Sequence, residues 1–178
     1  MIKPERTQKV LDTFAKKVIK DARSILRNKK NTGNLSDSLK YRLKVYDSGA
    51  LDLNFEALDY FDFVDKGVQG NSGQAHPKRG KLAPDSPYKY GNKMPPTKIL
   101  DKWVVKKGLK AARDEKGKFI KRKSLVFAIA KSIQLYGLEA TQFFTSPFNK
   151  HYKKLPQDVI NAYAKDVSKF LKFATKDL

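Results

Sequence analysis

YFDFVDKGVQG, residues 60–70, is where this 178-residue chain changes character. Ahead of it the residues recur with regular periods. Behind it runs an irregular segment that ends in KMPP, residues 93–96. Five of the ten glycines and five of the eight prolines lie between Gly67 and Thr97. An irregular stretch of that length between clear elements usually serves a function. Its cations are Lys78, Arg79, Lys81, Lys89 and Lys93, against the single acid Asp85. Read as a nucleic-acid loop, it would stack Tyr88 and Tyr90 on bases. Read as an arm, it would order against a neighbouring molecule. It contains neither GxxxxGK[ST] nor GxGxxG, so no phosphate cradle is expected. The expectation is an anchor at 60–67 followed by an arm over about 67–97.

Upstream, Pro4 suits the first turn of a helix. Leu11, Phe14, Ala15, Val18, Ile19, Ala22, Ile25 and Leu26 then keep the spacing of an amphipathic helix. The opposite face is Lys16, Lys17, Lys20, Arg23 and Arg27, and a turn is expected at Asn31-Thr32-Gly33. NLSDS, 34–38, reads as a short capped turn or helix. Tyr41, Leu43 and Val45 alternate with Arg42 and Lys44, and Leu51, Leu53 and Phe55 alternate with Asp52 and Asn54. With Asp47-Ser48-Gly49 between them, these runs predict an antiparallel hairpin with opposite charges facing across it.

Glu56, Asp59, Asp62 and Asp65 recur every three residues among aromatic neighbours. Paired carboxylates can hold divalent ions for hydrolysis, and on a helix these four would form a stripe. The other reading is a solvated face beside an aromatic bend. No lysine or histidine completes a recognised catalytic motif, so the expectation is no catalytic, metal-binding or cofactor-binding residue.

Downstream, Pro95-Pro96-Thr97 opens a helix with Thr97 as N-cap, Ile99, Leu100, Trp103 and Val104 as its apolar face, and Gly108 as its stop. Residues 110–123 read as an exposed loop or hairpin with its tip near Glu115-Lys116-Gly117. Ser124 is expected to cap the most apolar helix, LVFAIAKSIQLY, closed by Gly137 and buried under the sheet. Phe143, Phe144 and Phe148 are too close together to be idle surface: they are core, or an interface if exposed. Pro156 begins a last helix with Val159, Ile160, Tyr163, Val167, Phe170 and Leu171 as its apolar face. The fold class is therefore α+β. A small antiparallel sheet packs on an N-terminal helix, a buried central helix and a C-terminal helix, all in one domain over 1–178.

There is no cysteine, which removes disulfides and thiolate chemistry, and two histidines do not make a histidine-rich metal site. No apolar run approaches the roughly 20 residues that span a bilayer, so no membrane contact is expected. The start lacks a secretory signal's apolar stretch, so the chain is expected to be made and kept in a cytoplasm. The formal charge is +20 and uneven. Residues 1–30 carry ten basic and three acidic groups and residues 98–123 eleven and three, whereas 31–66 carry four and seven. Such a chain suits nucleic acid or the acidic surfaces of an assembly.

The order of motifs resembles the neck and tail-completion proteins of tailed bacteriophages, the head–tail connector family. It is TGNLSDSL before the hairpin (from Thr32), YFDFVDKG at 60–67, PP-x-x-I-x-x-x-W ahead of KGL, and FFTSPF at 143–148 before the final helix. The version with the KGL helix is similar to members from crAss-like phages. This sequence departs from the commoner pattern in having Gly67-Val68-Gln69 where many members have glycine-threonine. The resemblance implies a non-enzymatic virion protein, assembled in the host bacterial cytoplasm. It implies a homo-oligomeric ring, twelve-fold to match a portal or six-fold to match a tail tube. Its partners would be the portal or adaptor and other neck and tail proteins, with non-specific contact to DNA in the channel. The residues expected to meet neighbouring subunits or rings are Tyr60, Phe63 and Asp65 in the anchor. With them go His76, Lys78, Arg79, Tyr88 and Tyr90 in the arm, and Phe143, Phe144 and Phe148 ahead of the last helix. The alternatives are a basic nucleic-acid-binding protein and a metal-dependent nuclease built on the four carboxylates.

Overall fold

The computed structural model describes residues 4–28, 33–109, 113 and 116–175. Its α+β fold contains two compact units. One unit is built from the two ends of the chain. The other, Asp62–Thr141, is inserted in sequence between them.

The first unit grows from α1 (Glu5–Asn28), whose buried residues Phe14, Ala15, Val18, Ile19, Ala22 and Leu26 repeat at three and four. Of the turn expected at 31–33, Asn31 and Thr32 lie outside the described residues; Gly33, at φ 86°, leads into α2 (Asn34–Ser38). The hairpin follows as β1 (Lys40–Val45) and β2 (Leu51–Glu56). Its register sets Tyr41 opposite Phe55, Leu43 opposite Leu53 and Val45 opposite Leu51, so the apolar alternation lies on one face. On the other, Lys44 stands opposite Asp52, and Arg42 reaches Glu56 at 3.0 Å.

Phe55 carries the hairpin into an aromatic cluster. Its ring meets Phe14, Phe144 and Phe148 edge-on at 6.3, 5.1 and 6.2 Å. Phe61 meets Phe143 and Phe144 in the same way at 5.2 and 5.1 Å. Edge-to-face pairs add about 0.5–1.5 kcal/mol each beyond area burial. Phe143, just ahead of α6 (Thr145–Tyr152), is fully buried in this cluster, while Phe144 and Phe148 are half-buried within it. Cooperative ring packing uses all three at once, which explains their close spacing.

The last helix, α7 (Leu155–Ala174), packs on α1 with Pro156 in its first turn. The contact is organised by Asp166, only 3% exposed. Its carboxylate accepts the backbone N–H of Arg6 at 3.1 Å, and the N–H and hydroxyl of Thr7 at 3.0 Å each. The free N–H groups at the start of α1 are thus capped from the far end of the chain. Burial pushes the Asp166 pKa up, but the Thr7 and Arg6 N–H groups and the Thr7 hydroxyl outweigh it, and the net shift is downward.

In the second unit, α3 (Phe61–Lys66) runs into β3 (Val68–Gln69), which pairs with β4 (Gly137–Leu138) as a second, two-residue ladder. The close approach requires glycine. A Cβ at Gly137, φ 88°, would lie 2.1 Å from the Val68 carbonyl oxygen. Helices α4 (Thr97–Lys106) and α5 (Arg122–Tyr136) pack through Val104, Val126 and Ala130, with Arg122 paired to Asp101 at 2.8 Å. That pair lies in the first turn of α5, which begins two residues before Ser124; Lys121, not Ser124, occupies the N-cap position. Likewise Pro96 precedes α4 as its N-cap and Thr97 is already helical. Gly108, at φ 70°, closes α4 as expected. Helix α5 is not covered by a sheet. Only Val126, Ala130 and Gln134 are buried; the helix packs on α4 and β4 and touches the irregular segment through Gln134 and Tyr136.

Removing the Asp166 carboxylate should destabilise the first unit. Asp166→Ala is expected to cost roughly 2–3 kcal/mol, the loss of an N-cap together with charge-assisted hydrogen bonds. Thr7→Val should cost about 1 kcal/mol. The sign of the pH dependence follows from a lowered native pKa. The contribution is complete above the unfolded value of about 4 and is lost as pH falls through the native value. Urea melts of wild type and Asp166→Asn between pH 7 and pH 2.5 should therefore converge at the acid end. A constant gap would rule out this role for the ionised carboxylate.

Candidate functional site

The segment 67–97 is fastened to its own unit by hydrogen bonds. Gln69 does most of this. Its N–H donates to the Tyr88 carbonyl at 2.8 Å, its carbonyl accepts the Tyr90 N–H at 2.9 Å, and its side-chain amide donates to the Ser86 carbonyl at 2.6 Å. The buried Ser86 hydroxyl donates to the Gly67 carbonyl at 2.7 Å. Leu82 and Ala83 are buried, and the Leu82 carbonyl accepts the Ala140 N–H at 3.2 Å. From α5, the buried Gln134 side chain donates to the Asn92 carbonyl at 2.6 Å. Glycine and proline here give backbone freedom, while a few amide and hydroxyl side chains satisfy the carbonyls that a sheet would otherwise pair.

Within that frame the expected contact residues separate. Phe63 lies on the Tyr88 ring at 4.5 Å, and the Tyr88 hydroxyl donates to Asp62 at 3.0 Å. Asp62 also pairs with Lys66 at 3.1 Å. The bond to Asp62 raises the Tyr88 pKa, and burial raises that of Tyr90. Asp65 is buried and so offers no surface to a neighbour. His76 rests its ring edge-on against Tyr136 at 5.1 Å and closes a turn in which Nδ1 accepts the Lys78 N–H. Lys78 and Arg79 stand exposed at the tip of that turn, and Tyr60 is exposed ahead of α3. Phe63, Tyr88 and Asp62 are thus brought together. His76, Lys78 and Arg79 form a separate turn.

The four carboxylates do not form the stripe that their spacing suggested. Glu56 ends β2 and pairs with Arg42, Asp59 lies in a turn, and only Asp62 and Asp65 are on α3, with Asp62 partly exposed and Asp65 buried. Among the described residues no three or more histidine and acidic groups are placed to hold a metal ion. No described helix is long and apolar enough to cross a membrane.

Two helix faces that the sequence marked as apolar are left partly exposed. On α4, Ile99 is 67% exposed and Trp103, one turn on, is also open. On α7, Ile160, Tyr163 and Leu171 share one row, with Ile160 61% and Leu171 55% exposed, and Phe173 follows. The apolar arc of α7 is wider than its contact. With Asp166 turned toward α1, Ala162 and Asp166 take the buried positions and the far side of the arc is left open. An acid at 166 inside an otherwise apolar stripe was the available signal.

Releasing the irregular segment should be local. Gln134→Ala is expected to speed tryptic cleavage after Lys89 and Lys93 about tenfold, for removal of a hydrogen bond of roughly 1–1.5 kcal/mol. Cleavage in the first unit should be unchanged, which mass mapping of early fragments would show.

Comparison with protein-family models, with curated proteins and with solved structures finds no match.

Proposed function

We propose that this chain is a structural virion protein of a tailed-phage neck. In this reading it forms a ring that joins the portal to the tail and continues the DNA channel, without catalysis. The observation that carries the reading is the pair of exposed apolar faces, Ile99–Trp103 on α4 and Ile160–Tyr163–Leu171 on α7. Contiguous exposed apolar rows on helices mark contact surfaces. A ring needs two unlike faces on each copy, because its contacts are heterologous. The motif order from 32 to 148 supports the same reading. The opposed charges of residues 31–66 and 98–123 supply complementarity for register. The segment 67–97, tied to its own unit by hydrogen bonds, contributes a basic flank to the subunit.

Light scattering and native mass spectrometry test this directly. Wild type is expected to form closed oligomers, alone or with portal complexes. Ile99→Asp/Trp103→Asp and, separately, Ile160→Asp/Leu171→Asp should each give folded monomers, with unchanged circular dichroism. Mixing the two variants should restore one interface and stop at dimers. A wild type that stays monomeric under both conditions would overturn the proposal.

A further inference from the structure

A cleft of about 730 Å³ lies between the second half of α1 and the start of β1. Its floor is apolar, formed by the buried Ile19 and Leu39. Its walls carry five cations, Lys16, Lys20, Arg23, Arg27 and Lys40, and no carboxylate. Four of them follow one another along α1 at spacings of four, three and four, a row about 16 Å long at 1.5 Å per residue. Arg23 is held in place by donating Nε–H to the Ser36 carbonyl at 3.0 Å and an Nη2–H to the Leu39 carbonyl at 2.8 Å. Lys20, Arg27 and Lys40 have no acidic partner among the described residues. The nearby acids are already engaged. Asp12 pairs with Lys16 at 2.7 Å and accepts the Tyr41 hydroxyl, and Glu56, across the ladder from Lys40, pairs with Arg42.

We propose that this cleft binds nucleic acid along one strand's phosphodiester backbone, without reading base sequence. A linear row of cations matches a linear row of phosphates, and the row is long enough to meet several at once. Binding would release the counterions condensed on them. The one aromatic in the wall, Tyr41, has its hydroxyl tied to Asp12 and its ring in the hairpin, so no stacking platform for bases is offered. The site is an attribute of the folded subunit and does not depend on ring assembly.

The test uses the full chain and a fluorescent 20-base-pair duplex of mixed sequence, with anisotropy read from 50 to 300 mM salt. Lys20→Gln/Arg27→Gln/Lys40→Gln should weaken binding at least tenfold at 100 mM salt. It should also flatten the log–log salt slope by about 2–3, near 0.9 for each duplex phosphate that is no longer neutralised. Lys98→Gln/Lys102→Gln/Lys106→Gln removes the same charge from an exposed row on α4, outside the α1–β1 cleft, and should cost less than threefold. Equal losses from both triples, or none from the first, would overturn the proposal. So would displacement of the duplex by polyglutamate at equal charge concentration, which would assign the cleft to acidic protein surfaces instead.

Discussion

The carboxylate of Asp166, buried at the start of α1, holds the two ends of the chain together. Every helix begins with N–H groups that have no partner within the helix, and here the partner comes from 159 residues away. This bond fixes the roll of α7 on α1. The roll in turn determines which side of α7 packs and which stays open. Ala162 and Asp166 face inward, and Ile160, Tyr163 and Leu171 are left on the surface. A polar constraint thus creates the apolar face on which the proposed assembly relies.

The two units are stabilised in different ways. The unit made from the chain ends has an aromatic core in which rings from α1, β2, the 143–148 stretch and Phe61 interlock edge to face. The inserted unit has a smaller apolar core and relies more on side-chain hydrogen bonds. Gln69, Ser86 and Gln134 each satisfy backbone carbonyls of an irregular segment. Buried amides and hydroxyls of this kind are costly if left unpaired, so they specify one path for the loop. These few bonds explain how so many glycines and prolines coexist with an ordered surface. A further set of backbone bonds places His76, Lys78 and Arg79 on a tight turn.

Much of the local structure was legible from residue patterns. The hairpin register follows from its alternation, since a slip by one residue would turn Leu43 and Leu53 to solvent. The limits of α4 at Gly108 and of α5 at Gly137 follow from glycine's access to positive φ. Less was legible where a residue's role depended on distant partners. The carboxylates at 56, 59, 62 and 65 share a period of three, but strand, turn and helix succeed one another there, so period alone did not place them on one face. Phe143, Phe144 and Phe148 were ambiguous between core and interface because burial is a property of the neighbours. The basic face of α1 was visible as a charge pattern, but its cleft exists only because β1 lies beside it.

The sequence by itself determined the strong basic charge, the α+β class, the longer helices and the hairpin with its register, the structural elements among them resting on contacts between near neighbours. The short helix α6 and the β3–β4 pair were not read from it. Only the tertiary structure decided the division into two units, the fastening of residues 67–97 and the roll of α7. Each depends on hydrogen bonds that close over long separations, Asp166 to Thr7, Gln134 to Asn92 and Leu82 to Ala140. Periodicity carries no record of such pairings, because a polar side chain reads the same in sequence whether it meets water or a backbone group far along the chain.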